Sequence, residues 1–262
     1  MHLALLYGAI VGLSLGLTGG GGSIFAVPLL VYGLGLDFRS AVALSLAIVG
    51  LTAAYGAILQ ARRGHVLWGA GIVLGLGGIA AAPLGAWIGA QMPQRLSLLL
   101  FAALMIFIGV RMLRQREGEI AASWIRCRRT PDGRPHFSFP CAGKLFAAGV
   151  FSGILSGIFG VGGGFLIVPA LILVACISIE SALATSLVGI VLIAASGFAA
   201  NASHLSSGDG VLAAWFFAGS ALGMTAGVWA KSLLPSRALN LIFGLSVIGV
   251  ALYVVARNLT HA

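Results

Sequence analysis

Acidic side chains are scarce in this 262-residue chain, which has only six Asp and Glu residues beside fifteen Lys and Arg residues. Charged residues make up 8% of the sequence, whereas soluble domains usually carry roughly 25%. So little charge excludes a compact soluble domain, and a 60% share of hydrophobic residues excludes a disordered chain. The composition therefore predicts a polytopic membrane protein.

Cysteine is also scarce, and Cys127, Cys141 and Cys176 lack the paired spacing of metal ligands. This pattern predicts neither a zinc site nor a disulfide framework. The glycine runs lack the preceding strand, the trailing Lys-Ser/Thr pair and the acidic partner of phosphate-binding loops. We therefore expect no metal site and no cofactor. Apolar runs without Asp, Glu, Lys or Arg at their centres also argue against a carboxylate proton relay through the bilayer.

The net charge of +9 is concentrated around one segment in the middle of the chain. Its basic residues are Arg111, Arg114, Arg116, Arg126, Arg128, Arg129, Arg134 and Lys144. Lys and Arg hold loops on the cytoplasmic side during insertion, so this charge indicates membrane topology and not a nucleic-acid partner. We expect a cytoplasmic linker over residues 117–142, between a first membrane repeat (1–116) and a second (143–262). We expect the bilayer to be the inner or plasma membrane of the cell.

Six apolar runs are long enough to cross a bilayer, which takes about 20 helical residues. They are Ser40–Gln60, Val66–Gln91, Leu96–Leu113, Ser181–His204, Val211–Ala230 and Ala238–Ala256. Two other apolar stretches, Leu3–Gly35 and Leu145–Ile177, are interrupted by glycine runs. Their arms of about 12 to 15 residues predict re-entrant or broken helices, because they are too short for full spans.

The two halves of the chain repeat one another. A constant offset of 141 residues aligns the two glycine runs and pairs Ser45 with Ser186 and Gln60 with Asn201. Each half holds three full spans and one broken pair that starts and ends on the same side, so the halves have opposite orientations. We therefore predict an all-α polytopic fold of two inverted-topology repeats, each with a glycine-broken helix pair plus three transmembrane helices. Both termini are predicted outside.

Interrupted segments at matching positions of an inverted repeat indicate the binding site of a secondary transporter. Irregular backbone at membrane depth needs a cover of protein or water, and helix starts present unpaired N–H groups to anions. We expect the two breaks to meet near the midplane and to bind a small anion by alternating access. The candidate substrate-binding residues are Gly19, Gly20, Gly21, Gly22, Ser23, Ser45, Gln60, Gly160, Gly162, Gly163, Gly164, Thr185, Ser186 and Asn201.

Two further glycine series indicate helix packing and not a binding site. Gly8-Gly12-Gly16 and Gly149-Gly153-Gly157 recur every four residues, which is typical of close helix packing.

Two alternative functions are an intramembrane enzyme of serine-protease type, with Ser156 and His204, and an anion channel. We expect a transporter without catalytic residues. A homodimer is an open alternative to a monomer.

The glycine breaks also carry a family resemblance. The segments Gly16–Pro28 and Gly157–Pro169, each a glycine run followed by hydrophobic residues and Pro, resemble the TauE/SafE sulfite exporter family. The segments Ala184-Thr-Ser-Leu187 and Arg62–Trp68 are similar to further motifs of that family. The resemblance covers nearly the whole chain except the linker. It implies export or uptake of small sulfur-containing anions such as sulfite, sulfoacetate or other organosulfonates.

Overall fold

The computed structural model describes residues 2–114, 139–175, 177–205, 209–230 and 236–260, which are mostly helical and contain no strand. The helices are α1 His2–Thr18, α2 Gly21–Gly33, α3 Phe38–Ala61, α4 Trp68–Gln91, α5 Gln94–Arg114, α6 Phe139–Phe159, α7 Gly164–Ala175, α8 Ile179–Asn201, α9 Asp209–Ala230 and α10 Ser236–Thr260. The helix α2 is irregular: it begins as a 3₁₀ turn and ends as a π turn. The predicted all-α polytopic class is confirmed.

Five helices within the described part of the chain are long and apolar enough to cross a membrane. Four of them, α3, α4, α8 and α9, correspond to predicted spans to within three residues at each end. The predicted spans in α5 and α10 also lie within helices, whose described apolar parts, Gln94–Val110 and Gly244–Arg257, are shorter than the other five.

The fifth long apolar helix is α6, where the prediction of a short arm was wrong. It has 21 residues because it begins at Phe139, inside the predicted linker, with Pro140 as its second residue. Proline is tolerated in the first turn of a helix, where its missing N–H would be unpaired in any case. Cys141, in the same turn, is disulfide-bonded, which its spacing did not predict. The rest of the predicted linker, 117–138, lies outside the described residues.

The two central helices, α3 and α8, begin in the same way. Asp37 caps α3 by accepting a hydrogen bond from the Arg39 amide, and Ser178 caps α8 by accepting one from the Ser181 amide. The two caps are 141 residues apart, as in the predicted repeat. Ser40, near the start of α3, donates a hydrogen bond from its Oγ to the carbonyl of His204, just after the end of α8. The two helices therefore run antiparallel.

The four-residue glycine ladders lie in helix–helix contacts, as predicted. The helix α1 packs along α9, and α6 packs along α4. A Cβ on Gly12 would collide with the backbone of Ser220, and a Cβ on Gly153 with the backbone of Gly78, so only glycine permits these approaches. Both contacts join one half of the chain to the other. The α3/α8 and α5/α10 contacts do the same, so the halves interlock. The inverted orientation in a bilayer stays a prediction.

Candidate functional site

The first helix of each broken pair, α1 or α6, is followed directly by a left-handed glycine. Gly19 has φ +69° and donates its N–H to the Leu15 carbonyl at 2.7 Å; Gly160 has φ +71° and donates to the Ser156 carbonyl at 2.8 Å. A residue in this conformation closes the last helical turn and turns the chain away, which glycine does without a Cβ penalty. The α1–α2 and α6–α7 breaks therefore begin in the same way, whereas only the second continues with two more left-handed glycines, Gly162 and Gly163.

The two breaks meet, as the sequence predicted. A Cβ on Gly20 would lie 2.6 Å from the carbonyl carbon of Gly164, so the two backbones touch. A Cβ on Gly162 would lie 3.0 Å from Val49 Cγ1 and 3.3 Å from Ile190 Cγ2. Val49 and Ile190 are each the twelfth residue of their helices, α3 and α8, which have 24 and 23 residues. The contact therefore lies close to the middle of the two central helices.

Ser45 and Ser186 hold the breaks reciprocally. Ser45 Oγ lies 2.7 Å from the carbonyl oxygen of Gly160, in the other half of the chain. Ser186 Oγ lies 2.5 Å from the carbonyl oxygen of Gly19, again in the other half. Each hydroxyl is also 2.8 Å from the carbonyl three residues earlier in its own helix, so one proton serves two acceptors. The sequence predicted the two serines as a pair, but not this exchange.

Some of the amides expected to bind substrate already have partners. The Gly22 amide donates to Thr18 Oγ1 at 3.1 Å, and the Ser23 amide to the Gly20 carbonyl at 3.4 Å. Ser23 Oγ donates to the same Gly20 carbonyl at 2.7 Å. The Thr18 hydroxyl was missed at the sequence level, although its position directly before the glycine run was a usable signal. An anion would have to compete with these contacts, of which the bond from the Ser23 amide is the longest and therefore the weakest.

Two serines of α6 belong to the second break. Ser152 Oγ donates to the Gly163 carbonyl at 2.8 Å. Ser156, one turn later on the same helix face, is fully buried, and its hydroxyl has no hydrogen-bond partner. Residues four apart next to a glycine run could have indicated this pair. The unpartnered hydroxyl also means that Ser156 makes no hydrogen bond to His204, which a protease pair would need.

Three other candidates lie away from the breaks. Thr185 Oγ1 accepts a hydrogen bond from the Leu67 amide, at the start of α4. Gln60 and Asn201 are each 15 residues beyond Ser45 and Ser186, which is about 22 Å along a helix. Gln60 Oε1 is buried without a partner, whereas Asn201 Nδ2 donates to the Gly197 carbonyl at 2.8 Å. The structure therefore brings these two amides to opposite ends of the central helices.

A cleft opens at the Asn201 end. It is lined by the start of α3, the ends of α4, α6 and α8, and His204. Its space is about 250 Å³ including the part open to the exterior. Among the described residues, no group of three His, Cys, Asp or Glu side chains could hold a metal ion.

Comparisons with known proteins agree with one another. The family model described as "Sulfite exporter TauE/SafE" matches residues 4–254. Two proteins of Xylella fastidiosa, strains 9a5c and Temecula1, both named "Probable membrane transporter protein", are 36% and 34% identical over 259 and 257 residues, covering 96% of this chain and 93% of each relative. The "Probable membrane transporter protein YdhB" of Bacillus subtilis is 24% identical over 246 residues, 91% of this chain and 93% of its own. No solved structure matches.

Proposed function

Because this chain belongs to the sulfite exporter TauE/SafE family and is a membrane transporter, not an enzyme, we propose that it carries a small sulfur-containing anion. Sulfite, sulfoacetate and other organosulfonates are the proposed substrates, and the direction is export. The anion binds where the α1–α2 and α6–α7 breaks meet. The proposal places the protein in the cell membrane, with both termini and the Asn201 end of the bundle outside.

The meeting of the two breaks is the observation that carries this proposal. Residues 19–23 and 160–164 are all buried, so water is largely excluded from the site and electrostatic interactions there are strong. Glycine presents its amide without a side chain in the way, and the first amides of α7 add the positive end of a helix dipole. Gly20, Gly21, Gly162, Gly163 and Gly164 supply the amides that would bind the oxyanion.

Ser156 supports the same site. Its buried hydroxyl has an unused hydrogen-bonding capacity, and burying a polar group without a partner costs about 1–3 kcal/mol. It lies on the α6 face whose other serine, Ser152, bonds the second break. A bound oxyanion would supply the missing acceptor for the Ser156 hydroxyl.

The reciprocal serines suggest how access alternates. Ser45 holds the second break and Ser186 holds the first, and each is near the start of its own central helix. Because these helices run antiparallel, the two serines lie on opposite sides of the middle. Breaking one hydrogen bond while keeping the other would expose the site to one membrane face at a time. Two equivalent arrangements of this kind are what an alternating-access carrier needs.

Flux into proteoliposomes tests the function. Purified protein should give saturable flux of sulfite or an organosulfonate, and little flux of sulfate or carboxylates of similar size. Ser156→Ala should weaken substrate binding and raise the concentration for half-maximal flux. Thr225→Val, which removes an exposed hydroxyl bonded to its own helix, is the matched control and should leave flux unchanged. Absence of selective anion flux from folded protein would contradict the proposal, and unsaturable flux with unitary conductance would favour an anion channel.

A further inference from the structure

The cleft at the Asn201 end borders the second glycine break. Val42 and Gly157 line it, and both lie within a turn of residues that hold the break. A Cβ on Gly160 would lie 2.8 Å from Val42 Cα, so the wall of the cleft and the break are in van der Waals contact. Only about one layer of side chains therefore separates the cleft from the proposed central site. The cleft has room for about one water molecule, so it is narrow in this structure.

Arg39 supplies a positive charge to this cleft. Its Nη2 donates to the Ala90 carbonyl at 2.6 Å, and its side chain makes no ion pair among the described residues. The guanidinium has five N–H donors, so most remain for a ligand. The nearby carboxylate, Asp37, is engaged by the backbone amide of Arg39. Asn201 and His204 line the same cleft, so an amide and an imidazole belong to its wall as well.

The positive-inside bias does not explain why a basic residue is present at position 39. In the predicted orientation, Arg39 is one of three basic residues, with Arg95 and Arg257, that lie outside, against the bias that favours positive charge in the cytoplasm. Arg257 lies over the Tyr32 ring, with 5.9 Å from its guanidinium carbon to the ring centroid. Arg39 instead borders a cleft. A planar fork of donors without an acidic partner is suited to a carboxylate, sulfonate or sulfite group.

The offset of the repeat points to a counterpart at the other face. The positions matching Asn201 and His204 are Gln60 and Arg63, so an amide and a basic residue recur there, whereas the position matching Arg39 is Glu180. Gln60 is buried with an unpartnered Oε1, and Arg63 is exposed. A carrier with inverted repeats exposes its site through matching entrances, one at each face.

We propose that the cleft lined by Arg39, Asn201 and His204 is the outer vestibule of the transport path, where the Arg39 guanidinium binds the substrate oxyanion before entry or after release. This inference rests on the proposed anion carrier and names a second, peripheral binding site for the same substrate class. Arg39 acts on affinity at the outer face, while the central breaks carry the translocation step.

Arg39→Gln tests the vestibule in proteoliposomes with anion supplied at the outer face. We expect the concentration for half-maximal flux to rise about tenfold, with the saturated rate nearly unchanged, because a charge-assisted hydrogen bond is lost at binding alone. Arg39→Lys should restore part of the affinity, since the charge stays but the bidentate fork is lost. Arg95→Gln is the matched control, because Arg95 lies near the same end of the bundle, at the start of α5, and outside the cleft.

Thiol chemistry gives a second readout for Arg39. Arg39→Cys, treated from outside with a membrane-impermeant trimethylammonium methanethiosulfonate, should regain affinity, whereas a sulfonate-bearing reagent should not restore it. The untreated variant and the equally treated parent chain are the controls, because the parent has three cysteines of its own.

The outcomes separate the two proposals. If the parent chain shows selective flux and both Arg39→Gln and Arg95→Gln keep the parent's half-saturation concentration, the vestibule is overturned and the carrier stays intact. Equal losses in both variants would show a general effect of surface charge and would also overturn it. If Arg39→Gln does not fold, as judged by size-exclusion chromatography, the lysine and modified cysteine variants decide. No selective flux in the parent chain would overturn both proposals.

Discussion

At the scale of single residues, the left-handed glycines have the most constrained positions. A Cβ on Gly160 would lie 2.7 Å from Ser45 Oγ and 2.8 Å from Val42 Cα, and its φ of +71° is unfavourable for any other residue. Space and conformation therefore both require glycine. The same holds for Gly19, where a Cβ would lie 2.8 Å from Leu183 Cα.

We expect Gly160→Ala to destabilise the protein by at least about 1–3 kcal/mol, the usual cost of a strained backbone conformation, with the collision in addition. Thermal unfolding in detergent, followed by tryptophan fluorescence, measures the change. Gly249→Ala is the control, because Gly249 lies in α10 with open space around its Cβ position. Alanine should be neutral or slightly stabilising there. Equal unfolding temperatures for the two variants would contradict this account of the break.

Loss of either reciprocal serine, Ser45 or Ser186, should have an effect of similar size. Ser45→Ala and Ser186→Ala each leave one carbonyl of the opposite break without its donor, so each should cost about 1 kcal/mol. Because the lost contacts are alike, the two variants should lower the saturated transport rate by similar factors. The measurement is initial flux at saturating anion. A large effect of one serine beside none for the other would contradict their equivalent roles.

The sequence predicts which residues correspond between the two halves, but it does not predict which atoms they bind. The offset of 141 residues relates Ser45 to Ser186 from the sequence alone. That each serine bonds the glycine of the other half depends on how the helices cross, and a linear pattern does not contain that information. For the same reason Ser152 and Ser156 were not assigned to the break, although their spacing places them on one helix face.

At the scale of helices, the glycine ladders determine which surfaces touch. The α1/α9 and α6/α4 contacts bring backbones together without intervening side chains. Such contacts gain van der Waals packing where lipid offers no hydrophobic driving force. The ladder predicted a close partner for α1, but nothing in its spacing identified that partner as α9.

We expect Gly12→Val and Gly153→Val to force these helices apart, because each added side chain would meet backbone atoms of the facing helix. Overpacking of this kind costs about 1–3 kcal/mol, so both variants should lower the unfolding temperature by several degrees. Gly69→Val is the control, because nothing lies within 4 Å of its Cβ position in α4. A loss of stability as large in the control would show that helix propensity, not packing, is responsible.

Helix ends were predicted well where the chemistry is local. Turn residues near Gly64 and the cap at Asp37 bracket α3 within a few residues of the predicted span. The start of α6 was missed because Pro140 and the neighbouring polar residues suggest a linker, whereas a proline in the first turn is compatible with a helix.

For the whole molecule, orientation is the testable claim. In the predicted topology, residue 210 lies outside and residue 65 inside. Gly210→Cys should therefore react with an impermeant maleimide added to intact cells, whereas His65→Cys should react only after permeabilisation. Both side-chain positions are exposed, so access to solvent is not limiting. The parent chain, treated in parallel, corrects for its own cysteines. Labelling of both residues from outside, or of neither, would contradict the inverted arrangement.

The membrane class and the transporter function followed from composition, repeat and motif, because these are properties of the sequence as a whole. The substrate did not, because it depends on a few amides and hydroxyls whose geometry composition does not determine. Arg39 illustrates the difference. Its sequence position identified an exception to the charge bias, and only the fold placed that exception beside a cleft.

The interlocking of the halves has a consequence for biosynthesis and ancestry. Since α1 needs α9 and α4 needs α6, the first half leaves the ribosome with its glycine surfaces uncovered, and its packing is completed only when the second half has entered the bilayer. If the predicted inverted repeat arose by duplication, an ancestor of half the length would have needed a second, oppositely inserted copy of itself to cover the same surfaces. Gene fusion would then have turned an encounter between two molecules into a step within one chain.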